Sequence, residues 1–169
     1  LLATAIGLLL NRFLTQRFVA QEATLTTDFV DSLLVVETSL VRFMTDASSR
    51  PGIAPPEAIE HLVRVPDVLR TNVYDRQQRL VWSSDVAISG RTFNRNPELE
   101  RALEGEVVAK TEDISEEEGA KSEHESLRGR EAMFVEIYVP VRNPASREIL
   151  GAIEFYKRPR ALGAALSQL

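Results

Sequence analysis

Apolar and polar residues alternate along two stretches late in the chain, 133–139 and 150–156. A period of two, carried by β-branched and aromatic residues, is typical of β-strands, because successive side chains point to opposite faces of a sheet. Residues 143–146, Asn-Pro-Ala-Ser, favour a turn between the two stretches. The pattern therefore predicts a long antiparallel hairpin within 131–157. One face of it should be aliphatic, and the other should carry carboxylates and tyrosines.

A longer pattern with steps of three and four residues occupies 12–47, which contains no Pro and no Gly. Such spacing places apolar side chains along one side of an α-helix. The stripe consists of Leu14, Phe18, Leu25, Phe29, Leu33, Val36, Leu40 and Phe43. Glu22 interrupts it, so the pattern does not favour a regular coiled coil. One continuous helix would extend about 54 Å, so we expect part of it to pack on a second copy of the chain or on a membrane. The alternative is a helix packed wholly on its own sheet.

Shorter patterns predict the remaining elements. Pro55-Pro56 and Asn96-Pro97 each favour the start of a helix, and Gly105 favours the end of the second one. The expected elements are a short helix at 57–63, strands at 68–75 and 79–84 with a turn at 75–78, a strand at 106–111, an exposed polar loop at 112–130 and a terminal helix at 161–169. Five strands with helices grouped outside them predict an α+β domain around one antiparallel sheet.

Composition narrows the classes of protein to which the chain can belong. Its 169 residues carry a net charge of −5, which gives no reason to expect nucleic acid as a partner. The absence of cysteine excludes disulfides, thiolate metal sites and a cysteine nucleophile. His61 and His124 lie far apart, and no phosphate-binding or dinucleotide-binding glycine motif occurs. We therefore expect no cofactor, no metal site and no enzymatic activity in this chain.

The mostly apolar residues 1–11 are too few to cross a bilayer, which takes about 20 residues in a helix. We interpret them as the end of a truncated transmembrane helix. The alternative is a buried helical turn, or a segment that packs on a partner chain.

Several short motifs follow one another along the chain in an order that is also found in a known protein family. They are Tyr74-Asp75, Leu80-Val81-Trp82-Ser83-Ser84-Asp85, Gly90-Arg91-Thr92-Phe93, Asn96-Pro97-Glu98-Leu99, Ala102-Leu103-Glu104-Gly105, Glu136-Ile137-Tyr138-Val139-Pro140-Val141 and Leu150-Gly151-Ala152-Ile153. This order resembles the Cache family, PAS-like extracytoplasmic sensor domains of bacterial transmembrane receptors. The resemblance covers 11–160 and implies a long N-terminal helix packed on a five-stranded antiparallel PAS-like sheet with short helices.

The resemblance also implies a division of the chain. Residues 1–11 would end a transmembrane helix, and 12–160 would form the sensor domain, with its long helix at 12–47 and its sheet domain at 68–157. Residues 161–169 would begin a helix that leads to a second transmembrane segment.

Two features depart from the family pattern. The first hairpin turn of the family often contains Gly, where this chain has Gln77-Gln78, so we expect a turn without a positive-φ residue. Basic residues at 12, 17, 157, 158 and 160 lie at ends that should face the membrane from outside, although positive charge usually marks the cytoplasmic side. This keeps a cytoplasmic PAS-like domain as an alternative.

The face opposite the aliphatic one holds the first candidate site. Three strands each place a polar residue two positions before a tyrosine, and side chains two apart share a face. The pairs are Asn72 with Tyr74, Glu136 with Tyr138 and Glu154 with Tyr156, and the alternation places Leu150 on this face too. If the strands are neighbours, the face could bind a cationic or polyhydroxylated small molecule. Trp82 and Phe134 are candidates to line it. The alternatives are a solvated outer face and, for Trp82, a place in the core.

Two further regions are weaker candidates. Arg91, Phe93 and Arg95 lie before the second short helix, in a region that commonly covers the ligand in Cache domains. An arginine there could hold a carboxylate through two hydrogen bonds, the alternative being solvated loop side chains. The acidic stretch 112–130 could attract divalent cations, but its spacing matches no calcium-binding loop. A loop exposed to solvent is the alternative that the sequence favours.

These inferences together predict a periplasmic sensing domain of a receptor in the inner membrane, acting as a homodimer along the N-terminal helix. The expected partners are a small-molecule ligand and the membrane, and the expected output is a two-component histidine kinase. A diguanylate cyclase or chemoreceptor output is an alternative, and so is a PAS-like dimerisation spacer without a ligand.

Overall fold

The computed structural model describes residues 2–47, 53–88, 96–113 and 133–159. Its helices are α1 Leu2–Val36, α2 Thr38–Ala47, α3 Glu60–Val63 and α4 Pro97–Leu103. Its strands are β1 Val68–Asp75, β2 Leu80–Ser83, β3 Val108–Asp113, β4 Met133–Arg142 and β5 Ile149–Lys157. Short 3₁₀ turns occupy Glu57–Ile59 and Val86–Ile88.

The strands form one antiparallel sheet in the order β2-β1-β5-β4-β3. The two predicted hairpins, β1–β2 and β4–β5, are confirmed, and so is the α+β fold. A long-range pairing of β1 with β5 joins the hairpins and places Asn72 opposite Glu154. The three strands with a polar residue two positions before a tyrosine are therefore neighbours at the centre of the sheet.

The aliphatic face of the sheet packs against α1 and α2. Its core consists of Val73, Val135, Ile137, Val139, Ile153 and Phe155 from the strands with Val30, Leu34, Leu40, Phe43 and Met44 from the helices. Each such side chain contributes about 1.5–3 kcal/mol when fully buried, so this layer is the main source of stability. The face predicted from the alternation is the one that is buried here.

The single helix predicted at 12–47 is wrong in its continuity. The helix begins at Leu2 and is interrupted at Glu37, whose carbonyl accepts hydrogen bonds from the N–H groups of Leu40 at 3.0 Å and Val41 at 3.4 Å. No Pro or Gly lies at the break. The flanking residues 35–39 are instead rich in β-branched and hydroxyl side chains, which have a low helix propensity.

Three smaller expectations are also corrected. The strand predicted at 106–111 is β3, shifted by two residues, so Glu112 belongs to a strand and not to the polar loop. An irregularity in the β4–β5 pairing turns Leu150 into the aliphatic core, away from the face of Glu154.

The third correction concerns the β1–β2 turn, in which Gln78 adopts a positive φ of 63° without being glycine. Oδ1 of Asp75 accepts hydrogen bonds from the N–H groups of Gln77 at 2.8 Å and Arg79 at 2.9 Å. These bonds offset the roughly 1–2 kcal/mol cost of the left-handed conformation.

Most of the predicted loop at 112–130 and all of the predicted helix at 161–169 lie outside the described residues. Among the helices of the described part of the chain, none is both long and apolar enough to cross a membrane.

Candidate functional site

The second face of the sheet carries a set of buried polar side chains, which we call the carboxyl cluster. It consists of Asn72 and Tyr74 on β1, Glu136 and Tyr138 on β4, and Glu154 and Tyr156 on β5. In the register of β4 and β5, each carboxylate faces a tyrosine: Glu136 opposes Tyr156, and Glu154 opposes Tyr138. Both carboxylates are fully buried, which excludes the solvated outer face considered from the sequence.

Glu154 accepts three hydrogen bonds from neutral donors. The hydroxyl of Tyr156 donates to Oε1 at 2.6 Å, and the hydroxyl of Tyr74 donates to Oε2 at 2.9 Å. The amide Nδ2 of Asn72 also donates to Oε2, at 2.7 Å. The side-chain hydroxyl of Ser83, on β2, orients this amide by donating to its Oδ1 at 2.7 Å.

Glu136 has a different set of partners. The hydroxyl of Tyr138 donates to Oε1 at 2.9 Å, and Nζ of Lys110 on β3 lies 3.5 Å from Oε2. Lys110 also pairs with Glu98 at 2.6 Å and with Glu112 at 2.5 Å, so one ammonium group is shared among three carboxylates.

Asn96 connects the cluster to the start of α4. Its Oδ1 accepts a hydrogen bond from the N–H of Leu99 at 3.0 Å, which is the N-cap predicted from the sequence. Its Nδ2 donates to the hydroxyl of Tyr138 at 2.9 Å. Ser83, which ends β2, and Asn96, which precedes α4, are therefore both hydrogen-bonded into the cluster.

Aromatic contacts extend the cluster towards the start of β4. The rings of Phe134 and Tyr156 meet edge to face with centroids 5.2 Å apart. The guanidinium of Arg70, itself buried, lies over the ring of Tyr156 at 4.1 Å. The arrangement is a cation–π contact, and it shows that this face accommodates a positive charge against a tyrosine ring.

Burial dominates the electrostatics of the cluster. It raises the pKa of Glu154 to about 7, with a further increase from the charge of Glu136 and from a hydrogen bond between the two carboxyl groups. Burial and the neighbouring charge of Glu154 raise the pKa of the Tyr138 and Tyr156 hydroxyls well above their ordinary value, so both stay protonated.

Lys110 stays charged beside the cluster. Burial lowers the pKa of Lys110, but hydrogen bonds to Glu112 and Glu98 and the charge of Glu136 outweigh it, leaving the pKa above its ordinary value. The carboxyl cluster thus holds one carboxyl group, that of Glu154, with a pKa of about 7 beside the charged ammonium group of Lys110.

The structure brings together most of the site residues proposed from the sequence. Tyr74, Phe134, Glu136, Tyr138 and Glu154 share one buried face. Trp82 does not join them, since it pairs with Val73 and packs against the aliphatic core. The remaining candidates, Arg91, Phe93 and Arg95, lie outside the described residues.

Sequence reasoning missed Arg70, Ser83, Asn96 and Lys110. The signal for Arg70 was present, because it alternates in phase with Asn72 and Tyr74. Asn96 was assigned only its capping role. The positions of Ser83 and Lys110 depend on strand register, which no local pattern specifies.

Outside the cluster, an open groove of about 670 Å³ lies between α1 and the edge strand β3. Its walls include Val19, Ala23 and Thr27 of α1 and Ala109 of β3. Within the ranges that the structure describes, no group of three or more histidine, aspartate or glutamate side chains is placed to hold a metal ion.

The sequence matches no protein-family model and no curated protein. The structure is similar to the sensor domain of E. coli DcuS, with a TM-score of 0.54 and 14% identity over 86% of this chain and 97% of that one. It is also similar to the sensor domain of the V. cholerae histidine kinase DctB, with a TM-score of 0.56 and 18% identity. That match covers 98% of this chain and 61% of the DctB domain. At these identities the likeness shows a shared fold, which confirms the fold that the resemblance to Cache sensor domains implied.

Proposed function

We propose that this chain is the extracytoplasmic sensing domain of a membrane receptor, that it binds a small molecule, and that its output is a histidine kinase. The fold supports this proposal because the sensor domains of DcuS and DctB share it. A cyclase or chemoreceptor output would use the same domain in the same way. The domain itself has no catalytic role in this proposal.

The observation that carries the proposal is the burial of Glu136 and Glu154 on one face of the sheet. Removing a carboxylate from water costs several kcal/mol, and well-packed apolar side chains would stabilise a purely structural sheet at least as well. Buried ionisable groups with strongly shifted pKa values are concentrated at functional sites. We therefore assign ligand recognition to the carboxyl cluster.

The chemistry of the cluster favours a small organic cation, such as an amine, or a polyhydroxylated molecule. Carboxylates attract a positive charge, and tyrosine rings bind cations through their faces, as Tyr156 binds Arg70. Hydroxyl and amide groups of Tyr74, Tyr138 and Asn72 supply the hydrogen bonds that fix an orientation.

The strand β5 offers a route from the site to the rest of the domain. Glu154 and Tyr156 belong to the cluster, and the next residue, Lys157, pairs with Glu22 of α1 at 2.5 Å on the opposite face. A ligand that binds two arrangements of β5 with different affinity would shift the position of α1 relative to the sheet.

We also propose that the domain is a periplasmic part of an inner-membrane receptor and that it dimerises along α1. Large apolar side chains are exposed along α1, at Leu25, Val35 and Val36, which suits a helix that packs on another chain. Others lie exposed near its start, at Ile6, Leu8, Leu9, Leu10 and Phe13, which suits a helix whose first turns lie against a bilayer.

A thermal-shift screen tests the sensing function. Amines, amino acids, organic acids and sugars are added to the domain, and a ligand of the native state raises the melting temperature by mass action. We expect an amine or a polyhydroxylated compound to do so. If none of the classes shifts the transition, the rival function is supported, a PAS-like spacer without a ligand. One observation favours that rival: Glu154 and the three tyrosines already hydrogen-bond within the domain.

Calorimetric titration then locates the site. Glu136→Gln replaces a carboxylate oxygen of the cluster by an amide NH₂ without changing the side-chain shape, and we expect the lost carboxylate contact to weaken a cationic ligand at least tenfold. The matched control is Glu148→Gln, which alters an exposed carboxylate paired with Arg76 far from the cluster. Equal affinity of the two variants for the ligand would remove the carboxyl cluster from the proposal.

A further inference from the structure

The two carboxyl groups of the cluster lie beside each other in the interior. Glu136 and Glu154 sit on adjacent strands, two residues out of register, and both are fully buried on the same face of the sheet. The hydroxyl of Tyr138, which opposes Glu154, donates a hydrogen bond to Glu136 at 2.9 Å. Two ionised carboxylates on neighbouring strands repel each other strongly when water is excluded. One carboxyl group of the pair then retains a proton, as in the dyads of aspartic proteases.

Within the described residues, the titratable and charged groups that face the pair come from four strands and α4. They are Arg70 and Tyr74 on β1, Tyr138 on β4, Tyr156 on β5, Lys110 and Glu112 on β3, and Glu98 on α4. The tyrosines are neutral donors, and Arg70 is stacked on a ring. The ammonium group of Lys110 also pairs with Glu98 and Glu112, so it does not compensate a second negative charge on Glu136 and Glu154.

We propose that Glu136 and Glu154 share a single proton near neutral pH, and that the loss of this proton is a pH-sensitive switch within the sensing site. The role in sensing rests on the function proposed above, whereas the titration itself does not. With the proton in place, the pair carries one negative charge and joins β4 to β5. Without it, two like charges face each other across the same strands and destabilise their pairing.

The direction of the effect on stability follows from linkage. The pKa of Glu154 is raised from 4.5 to about 7 in the folded protein, so between these values the folded state binds more protons than the unfolded chain. The free energy of unfolding therefore decreases as the pH rises through this window and becomes level above it. The stabilisation is fully present below about pH 4.5, where the carboxyl is protonated in both states.

The consequence reaches Ser83 at the end of β2 and Asn96 at the start of α4. Glu154 holds Ser83 through Asn72, and Glu136 holds Asn96 through Tyr138. Because the donors Asn72 and Tyr138 point at the carboxylates in both branches, a change of charge at the pair alters both attachments together.

Two measurements on the ligand-free domain test the proposal. Carboxyl ¹³C NMR of the wild-type protein should show one buried glutamate that titrates between about pH 6 and 8. Denaturant unfolding should show the folding equilibrium constant falling at least about tenfold between pH 5 and pH 8.

Variants assign the effect to the pair. In Glu136→Gln the neighbouring charge is gone, so the titration of Glu154 should move to lower pH and the loss of stability between pH 5 and 8 should shrink. The control Glu148→Gln should keep the wild-type profile. If Glu136→Gln fails to fold, the NMR titration of the wild-type protein still tests whether a buried glutamate titrates near neutral pH. Buried glutamates that all titrate below pH 5.5, with stability independent of pH, would overturn the proposal.

These outcomes separate the switch from the sensing function. A titrating pair without any stabilising ligand would keep the switch and remove the sensor. A ligand that is lost in Glu136→Gln, together with a flat pH profile, would keep the sensor and remove the switch.

Discussion

Thr26 and Thr27 are neighbours on α1, and their hydroxyl groups have opposite surroundings. The hydroxyl of Thr27 donates to the carbonyl of Ala23 at 2.8 Å and is partly buried. Thr26 is 1% exposed, and in the part of the chain that the structure describes its Oγ1 has no hydrogen-bond partner. A buried hydroxyl without a partner lowers stability by the cost of its desolvation.

We expect Thr26→Val to stabilise the domain by about 1 kcal/mol, because a methyl group of similar size replaces the unsatisfied hydroxyl. Equilibrium unfolding in urea measures the change. Thr27→Val, on the same helix one residue further, should be neutral or slightly destabilising. A destabilised Thr26→Val would mean that the hydroxyl has a partner in solution.

Glu22 departs from the apolar pattern of its helix because of a contact with a residue far away in the sequence. It interrupts the apolar stripe of α1, and in the sequence it counts only against a regular coiled coil. In the fold it meets Lys157, whose side chain is 8% exposed, at 2.5 Å. The interruption is therefore half of an ion pair between α1 and the end of β5.

At the scale of elements, the centre of the sheet depends on one glycine. Gly151 opposes Asp75 on β1 and Val141 on β4. A Cβ at this position would lie 2.1 Å from the carbonyl oxygen of Tyr74 and 2.7 Å from Cε of Met44. Met44 belongs to α2, so the glycine sets the distance between two strands and also between the sheet and a helix.

Gly151→Ala should therefore destabilise the domain by about 3 kcal/mol, the upper range for an overpacked core. The backbone of β1 has to move, since a carbonyl oxygen has no alternative rotamer. Thermal unfolding monitored by circular dichroism gives the change. The matched control is Gly7→Ala on α1, where nothing lies within 4 Å and helix propensity predicts a small gain. A Gly151→Ala variant as stable as wild type would show that the strands are further apart than described.

The Glu22–Lys157 pair can be tested as a link between two elements. Glu22→Gln and Lys157→Met should each destabilise the domain, because each leaves a poorly solvated charge unpaired. The double variant should lose less stability than the two single losses combined, with a coupling of about 1–2 kcal/mol.

The exposed pair Arg76–Glu148 provides the comparison for this double-mutant cycle, since both of its side chains are more than half exposed. We expect little coupling there. Additive losses at Glu22 and Lys157 would mean that the pair does not connect α1 to β5 in solution.

At the scale of the whole molecule, the sheet separates two different layers. One face provides apolar packing against α1 and α2, and the other holds carboxyl, phenol and amide groups in mutual hydrogen bonds. The first layer gives stability, while the second contains the pair of carboxyl groups that we propose to share a proton. Lys157 at the end of β5 lies on the first face and pairs with Glu22 of α1.

The proposed dimer is a prediction at this scale. Single cysteines placed along α1 between 18 and 36 should cross-link between chains with a helical periodicity, strongest near Leu25, Val35 and Val36. The native chain has no cysteine, so every cross-link reports an introduced position. Cysteines at buried positions such as Val30 serve as the control. A scan without inter-chain products would contradict the dimer along α1.

The sequence by itself determined the elements and their faces. Alternation predicted β1, β4 and β5 with the correct residues on each side except Leu150, and Asn96-Pro97 predicted the start of α4. These are local properties, since side-chain direction in a strand and capping at a helix start depend on residues only a few positions apart.

The tertiary structure decided what those faces become. Asn72 and Glu154 are 82 residues apart in sequence, and only the pairing of β1 with β5 joins them. The register of β3 brings Lys110 to Glu136, and Met44 of α2 and Leu150 of β5 meet in the core between the helices and the sheet. Long-range pairing depends on the complementarity of whole surfaces, which no window of local sequence contains. For that reason the carboxylates and tyrosines were visible in the sequence, but their burial as one coupled cluster was not.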